Sequence, residues 1–279
     1  MPAALGRYGA WMSPATDDET RKKLAVEAEK LGYTTVWFGI GASSVEDLAY
    51  FEEVLDATDR ITVATAIVNM WTNDAGRIAE SYHRLAERHG ERFLLGVGVG
   101  HPESITTYQS PHQKMITYLD RLDAEGVPAE ARVLAALGDR SLELAATRTR
   151  GAHPYLVVPQ HTEHARAILG PNALLAPEHK VVVDDDPVAA RAVGRPFVHK
   201  PYLGLRNYVN NLRRLGYTDA DVAGEGSDRL IDDLVLHGTP AAIHTRLAEH
   251  LNAGADHVGV HVLGPDPLTG YRRLAEVLL

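Results

Sequence analysis

The stretch "LLGVGVGHPE", residues 94–103, alternates glycine with apolar residues and then presents His101 and Glu103. Glycine inside a strand weakens it, so something must approach that backbone closely. Gly98 and Gly100 either relieve crowding inside a sheet or leave room for a planar ring against the strand end. A dinucleotide fingerprint needs G-x-G-x-x-G leading into a helix; here the spacing is G-x-G-x-G and His-Pro-Glu follows. Imidazole titrates near neutral pH, so His101 reads as a general acid or hydrogen-bond donor, or else as a loop histidine without a role. A second stretch, "AIVNMWTN" at 66–73, offers the amides of Asn69 and Asn73 and the stacking surface of Trp71. Asparagine also serves ordinary turns. A third, "VPQHTEHARAILG" at 158–170, crosses from a strand into a helix. Gln160, His161 and Thr162 then sit at a helix amino terminus, where free N–H groups favour an anion such as phosphate, unless Thr162 is a plain N-cap.

Other chemistries find less support. The chain has 14 histidines and no cysteine, which removes disulfides and thiolate chemistry. His257 and His261 share one face of a strand, but the only carboxylates near them in sequence are Asp256 and Asp266, and the first strand carries no histidine. No metal site is expected. No G-x-S-x-G elbow supports a serine nucleophile.

Short apolar runs alternate with amphipathic helices along the chain and must position these residues. Strand-like runs fall at 7–12, 34–40, 61–68, 93–100, 132–137, 152–158, 180–183 and 257–263. They are almost continuously apolar, as strands covered on both faces should be. Helical spacing appears at 17–31, 76–89, 113–124, 139–148 and 240–253. Several helices end in glycine followed by a strand, as in "KLGYTTVWF" and "NAGADHVGVHV". Eight strands alternating with helices predict an α/β fold, a (β/α)8 barrel over residues 1–279 as one domain. An open doubly wound sheet is the alternative. The interval 184–256 reads as a helical insertion before the last strand, with a further helix in "GEGSDRLIDDLVLHGTP".

The formal charge of −9 without a basic block argues against nucleic acid as a partner. No apolar run reaches the ~18 residues of a membrane span, and the first residues lack the pattern of a signal peptide, so a cytoplasmic location is expected.

Taken in order, "AIVNMW", "LLGVGVGHPE", "VPQHTEHARAILGPNALLAPEHKVVVDDDPVAARAVGR", "YLGLRNYVNNLRRLGYTDADV" and "GADHVGVHVLG" carry a likeness that spans the chain. The sequence resembles the luciferase-like monooxygenase superfamily, in particular its actinobacterial oxidoreductases that use coenzyme F420, a deazaflavin. The resemblance implies a luciferase-like TIM barrel with the coenzyme at the carboxyl ends of the strands and a small-molecule substrate. It implies a non-prolyl cis peptide in a bulge of the third strand, by position Ala66–Ile67. It implies that Phe38, Ala66, Ile67, Asn69, Gly98 and Gly100 bed the ring, and that Gln160, His161 and Thr162 hold the phosphate. His101 stands where relatives often have Glu, which makes it the expected proton donor. After the second strand, sugar-phosphate dehydrogenases of the family carry an Asp-His pair, whereas this chain has Gly39, Ile40 and Gly41. FMN, in an oxygen-activating monooxygenase, is the alternative cofactor, and a barrel that binds a flavin without turnover is a third reading. Relatives are often dimers, so a homodimer is expected by analogy.

Overall fold

The computed structural model describes residues 4–40, 45, 47–100 and 110–279; His101, Glu103 and Gly41 lie outside them. Parallel strands form the interior: β1 (Tyr8–Met12), β2 (Thr35–Gly39), β3 (Thr62–Ala66), β4 (Val68–Asn69), β5 (Phe93–Gly98) and β6 (Arg132–Leu134). They continue with β7 (Gly151–Ala152), β8 (Leu174–Leu175), β9 (Glu178–Val182), β10 (Val235–His237) and β11 (Val258–Val262). β11 pairs with β1, β1 with β2, and the order runs through β3, β5, β6 and β7 to β8. β8 and β9 are two parts of one extended run, because Ala176 N–H donates to Ala152 C=O and Glu178 N–H to Pro154 C=O. β9 in turn pairs with β11, with Val260 beside His179. The sheet thereby returns on itself, and the fold is the α/β barrel of parallel strands that the strand and helix spacing predicts.

Surrounding helices are started and stopped by local chemistry. In α1 (Asp18–Leu31) the Asp17 carboxylate accepts from Thr20 N–H, and Gly32 at φ +102° takes the left-handed position that ends the helix. Other outer-layer helices include α2 (Ala49–Asp56), α3 (Ala75–His89), α4 (Pro111–Ala124), α5 (Asp139–Arg148) and α6 (Pro159–Leu169). Their apolar faces and the outward faces of the strands form the main core, which includes Phe38, Leu55, Ile78, Leu95, Leu119 and Val260. A smaller cluster inside the barrel holds Trp11, Trp37, Ala64, Leu94, Val133 and Ala176.

The insertion before the last strand is present and has its own apolar cluster around Val198, Tyr208, Leu212, Leu230 and Val235. It contains α7 (Pro187–His199), α8 (Arg206–Arg214), α9 (Asp219–Val222) and α10 (Asp228–Leu234), and is followed by α11 (Pro240–Asn252); α12 (Pro267–Leu278) closes the chain. Two local expectations change and one is met. The run read as a helix through "DDLVLHG" ends at Leu234, and Val235–His237 pairs parallel with Lys180–Val182 as an added strand, in keeping with its β-branched and apolar residues. The strand expected at 152–158 stops at Ala152: Pro154 has no N–H to donate, and Leu156 lies at φ +54°. The third strand divides at a cis Ala66–Ile67 peptide, the bond expected there from the resemblance.

Candidate functional site

A cavity of about 430 Å3 opens where these parallel strands end. On one side lie Ala66, Ile67 and Asn69 from the divided third strand, with Gly100 just beyond β5. On the other side stand Glu178 and Lys180 of β9 and His261 of β11. A second cavity of about 640 Å3 shares Gly100 and Tyr155 with the first and extends over the start of α5.

The glycines of β5 owe their place to the bulge. A Cβ on Gly96 would sit 1.8 Å from the Thr65 carbonyl oxygen, and one on Gly98 would sit 2.9 Å from Ala135 Cβ and 3.2 Å from the Ile67 side chain. At Gly100, φ is +56° and a Cβ would meet the Asn69 amide at 2.9 Å. The missing side chains therefore admit the end of the third strand, and that segment forms the cavity wall. Asn69 is fixed in turn: its Oδ1 accepts from Trp71 N–H at 2.9 Å and its carbonyl accepts from Asn73 Nδ2 at 2.9 Å.

Facing this wall is a buried polar group. Glu178 and Lys180 have side chains only 1% and 4% exposed, and Lys180 Nζ donates to both carboxylate oxygens at 2.9 and 3.1 Å. His261 Nδ1 lies 3.0 Å from Glu178 Oε1, and Leu156 N–H donates to Oε2 at 3.3 Å. That last contact uses the left-handed backbone of Leu156, a conformation that costs a non-glycine residue about 1–3 kcal/mol and persists where the surroundings fix it. Burial pushes the Glu178 carboxyl up, but Lys180 and His261 outweigh it and hold the group well below the usual carboxylate range. Burial lowers the His261 imidazole despite the adjacent carboxylate. Lys180 also lies 5.3 Å above the Tyr202 ring.

Beneath the cavity the barrel is filled by an indole–imidazole stack. Trp37 stacks on His153 at 4.0 Å and donates to His257 Nε2 at 2.9 Å, while Trp11 donates to His153 Nε2 at 3.3 Å. His153 and His257 each turn Nδ1 to a backbone carbonyl, Ala176 and Gly6 respectively. Both accept at Nε2 and donate at Nδ1, so both are neutral; burial takes each down to about 4.

The structure brings Ala66, Ile67, Asn69 and Gly100 together at the cavity. Gly98 lies one layer behind, against Ile67 and Ala135. Phe38 is not brought to the site. Strand residues alternate in direction, and with Trp37 pointing into the barrel Phe38 points outward, edge-on to Tyr50 and Phe51. Gln160 is exposed at the start of α6. His161 is buried with Nε2 2.9 Å from the Leu137 carbonyl, and the Thr162 hydroxyl meets His250 Nδ1 at 2.7 Å. Thr162 belongs to a chain that continues from His250 Nε2 to His179 Nδ1 at 2.8 Å, and neither His161 nor Thr162 lines either cavity. His101, the expected proton donor, lies outside the described residues.

A different helix terminus faces the ligand space. Gly138 caps α5 with no side chain over its amides, a Cβ there would meet nothing within 4 Å, and Gly138 lines the larger cavity beside Ser141, Asn207 and Arg214. Arg214 makes no ion pair or hydrogen bond among the described residues, while the Asp139 carboxylate at the same terminus is taken by His164 at 2.9 Å. Sequence reasoning missed this place and the Glu178–Lys180–His261 group. A signal for the latter existed: "EHKVV" sets two charged residues at alternate positions of a strand, both on one face.

Residues 4–122 match the family model "Luciferase-like monooxygenase". No curated protein matches the chain. Among solved structures, the chain is similar to an F420-dependent secondary alcohol dehydrogenase in complex with an F420-acetone adduct, at 13% identity, 98% coverage of both chains and a TM-score of 0.78. It is also similar to the coenzyme F420 dependent tetrahydromethanopterin reductase of Methanopyrus kandleri, at 17% identity, 98% coverage of both and a TM-score of 0.71. A type II Baeyer-Villiger monooxygenase of Pseudomonas putida in complex with FMN has 14% identity, 99% and 97% coverage and a TM-score of 0.72. These likenesses define the fold.

Proposed function

We propose that this chain, with a luciferase-like monooxygenase match over residues 4–122 and a barrel shared with F420- and FMN-dependent proteins, is a deazaflavin-dependent oxidoreductase acting on a small organic substrate. The observation that carries the reading is the pair of adjoining cavities between the divided third strand and the bare amino terminus of α5. A flavin-type coenzyme needs a flat bed, a channel for its ribityl chain and a phosphate site. Ala66, Ile67 and Gly100 supply a bed of backbone and small side chains, and Gly100 and Tyr155 border both cavities. The first α5 amides and the Arg214 guanidinium supply donors suited to a phosphate, beside Ser141, whose hydroxyl donates to the Gly138 carbonyl at 2.6 Å. These residues fit the group, and they replace the α6 terminus as the proposed phosphate site.

Coenzyme F420, when bound, supplies a carbon centre that takes or gives hydride. The chain's own residues do the rest. The third-strand wall fixes the ring plane, while the Trp11 and Trp37 layer closes the barrel beneath it and excludes water from below. The Glu178–Lys180 pair places balanced charge at the opposite wall, and Lys200 adds a further ammonium to the lining, which disfavours a cationic substrate. Binding titrations with coenzyme F420 and FMN test the reading, together with oxygen consumption in the reduced state. Saturable F420 binding with little oxygen uptake is expected, because a deazaflavin has carbon in place of N5. Tight FMN binding with rapid oxygen consumption would instead make the chain a monooxygenase.

A further inference from the structure

Among the described residues His261 is the one imidazole that lines the cavity, and its surroundings give it a single orientation. Its Nδ1 faces the ionised Glu178 carboxylate, so Nδ1 carries a proton and donates. Glu178 is already neutralised by Lys180, so the imidazole stays neutral and Nε2 holds a free electron pair. That Nε2 is buried and has no hydrogen-bond partner among the described residues. A buried, unmet acceptor costs about 1–3 kcal/mol, a cost borne where a ligand supplies the missing donor. His261 borders the main cavity and also a side cavity of about 160 Å3, with Trp11 and Phe197 lining both. Among the described residues, the charged groups facing the imidazole are Glu178 and Lys180 on β9; β1 presents Trp11 and α7 presents Phe197.

We propose that His261, oriented by Glu178, is the acid–base group of this barrel and that the substrate is an alcohol or its carbonyl product. The inference rests on the proposed hydride chemistry and adds to it the proton path and the substrate class. In the oxidative direction the substrate C–H bond breaks, and its electron pair leaves as hydride to the oxidised deazaflavin. The O–H bond breaks, its proton passes to Nε2, and the C=O bond forms; the reductive direction returns proton and hydride. A neutral alcohol suits this lining better than an ammonium, because Lys180 and Lys200 both line the cavity and, among the described residues, Glu178 is the one carboxylate that opposes them. Glu178 is a positioning residue: it selects the tautomer and touches no reacting atom.

Two measurements test the proposal separately from coenzyme use. In the coenzyme-free protein, long-range proton–nitrogen spectra read the imidazoles, with His261 assigned by its loss in His261→Gln. The expected pattern is a protonated Nδ1 and a bare Nε2 whose resonance moves when 2-propanol is added. In Glu178→Gln the tautomers should mix and the imidazole should titrate at lower pH. With coenzyme F420 bound, His261→Gln should lose ~100-fold or more in alcohol turnover and its acidic pH limb, with coenzyme affinity unchanged. A protonated Nε2 in the wild type, an Nε2 unmoved by both 2-propanol and acetone, or amine turnover in place of alcohol turnover overturns the proposal. Failure of F420 binding alone would remove the coenzyme assignment, and the spectra would still decide the role of His261.

Discussion

Glu178→Gln keeps the shape of the side chain and removes its charge, which isolates what the buried pair contributes. The ammonium of Lys180 is 4% exposed and would lose both of its short carboxylate contacts. Breaking a buried pair by removing one partner costs about 3–5 kcal/mol, because the remaining charge stays out of water. The Tyr202 ring beneath Nζ and the amide oxygen left by Gln offset part of that, so the lower end, about 3 kcal/mol, is expected. For a chain of this size that corresponds to a fall in Tm of roughly 6–12 °C. Urea unfolding should give the same loss with an unchanged slope. The double variant Glu178→Gln, Lys180→Met should return to within about 1 kcal/mol of the wild type, since it removes both charges together. The pH dependence has a definite sign. The Glu178 carboxyl titrates lower folded than unfolded, so its stabilisation is complete above the unfolded value of ~4.3 and fades as pH falls toward the folded one. The gap between wild type and Glu178→Gln should therefore narrow below about pH 5. A single-variant loss under about 1 kcal/mol, or a double variant less stable than Glu178→Gln, would refute the reasoning.

Three other perturbations probe separate parts of the structure. Gly96→Ala should unfold or badly destabilise the barrel, because its Cβ meets backbone 1.8 Å away, whereas Gly138→Ala meets nothing and should shift Tm by under ~1 °C. Thermal melts of the two side by side check this. Arg214→Ala should weaken coenzyme affinity about tenfold and flatten its dependence on salt, as isothermal titration at two ionic strengths would read. Asp123→Ala takes the counter-charge from Arg132, a guanidinium only 1% exposed, and should cost about 1–3 kcal/mol in denaturant unfolding.

The barrel was legible because strand and helix periods differ and because the junctions carry strong local chemistry, as at Gly32 and the Asp17 cap. The insertion announced itself by breaking the repeat. Local propensity did not reveal where long-range pairing takes over, as in Val235–His237, which becomes a strand only through its partner 180–182. The site was legible on the third strand and less so elsewhere. His261 looked partnerless because the carboxylate it needs is Glu178, 83 positions away and next to it only once the barrel closes. Thr162 sits at the predicted helix start, but its hydroxyl is committed to His250 rather than to a ligand. The opening glycines now have a defined cause at β5: they make way for the bulge that walls the cavity.

Equilibrium titration of the purified protein with coenzyme F420 and with FMN, followed by coenzyme fluorescence, tests the central claim most directly. The account predicts saturable one-to-one binding of coenzyme F420, weakened by Arg214→Ala, and much weaker binding of FMN. Tight binding of FMN without measurable affinity for coenzyme F420, or binding of neither, would contradict it.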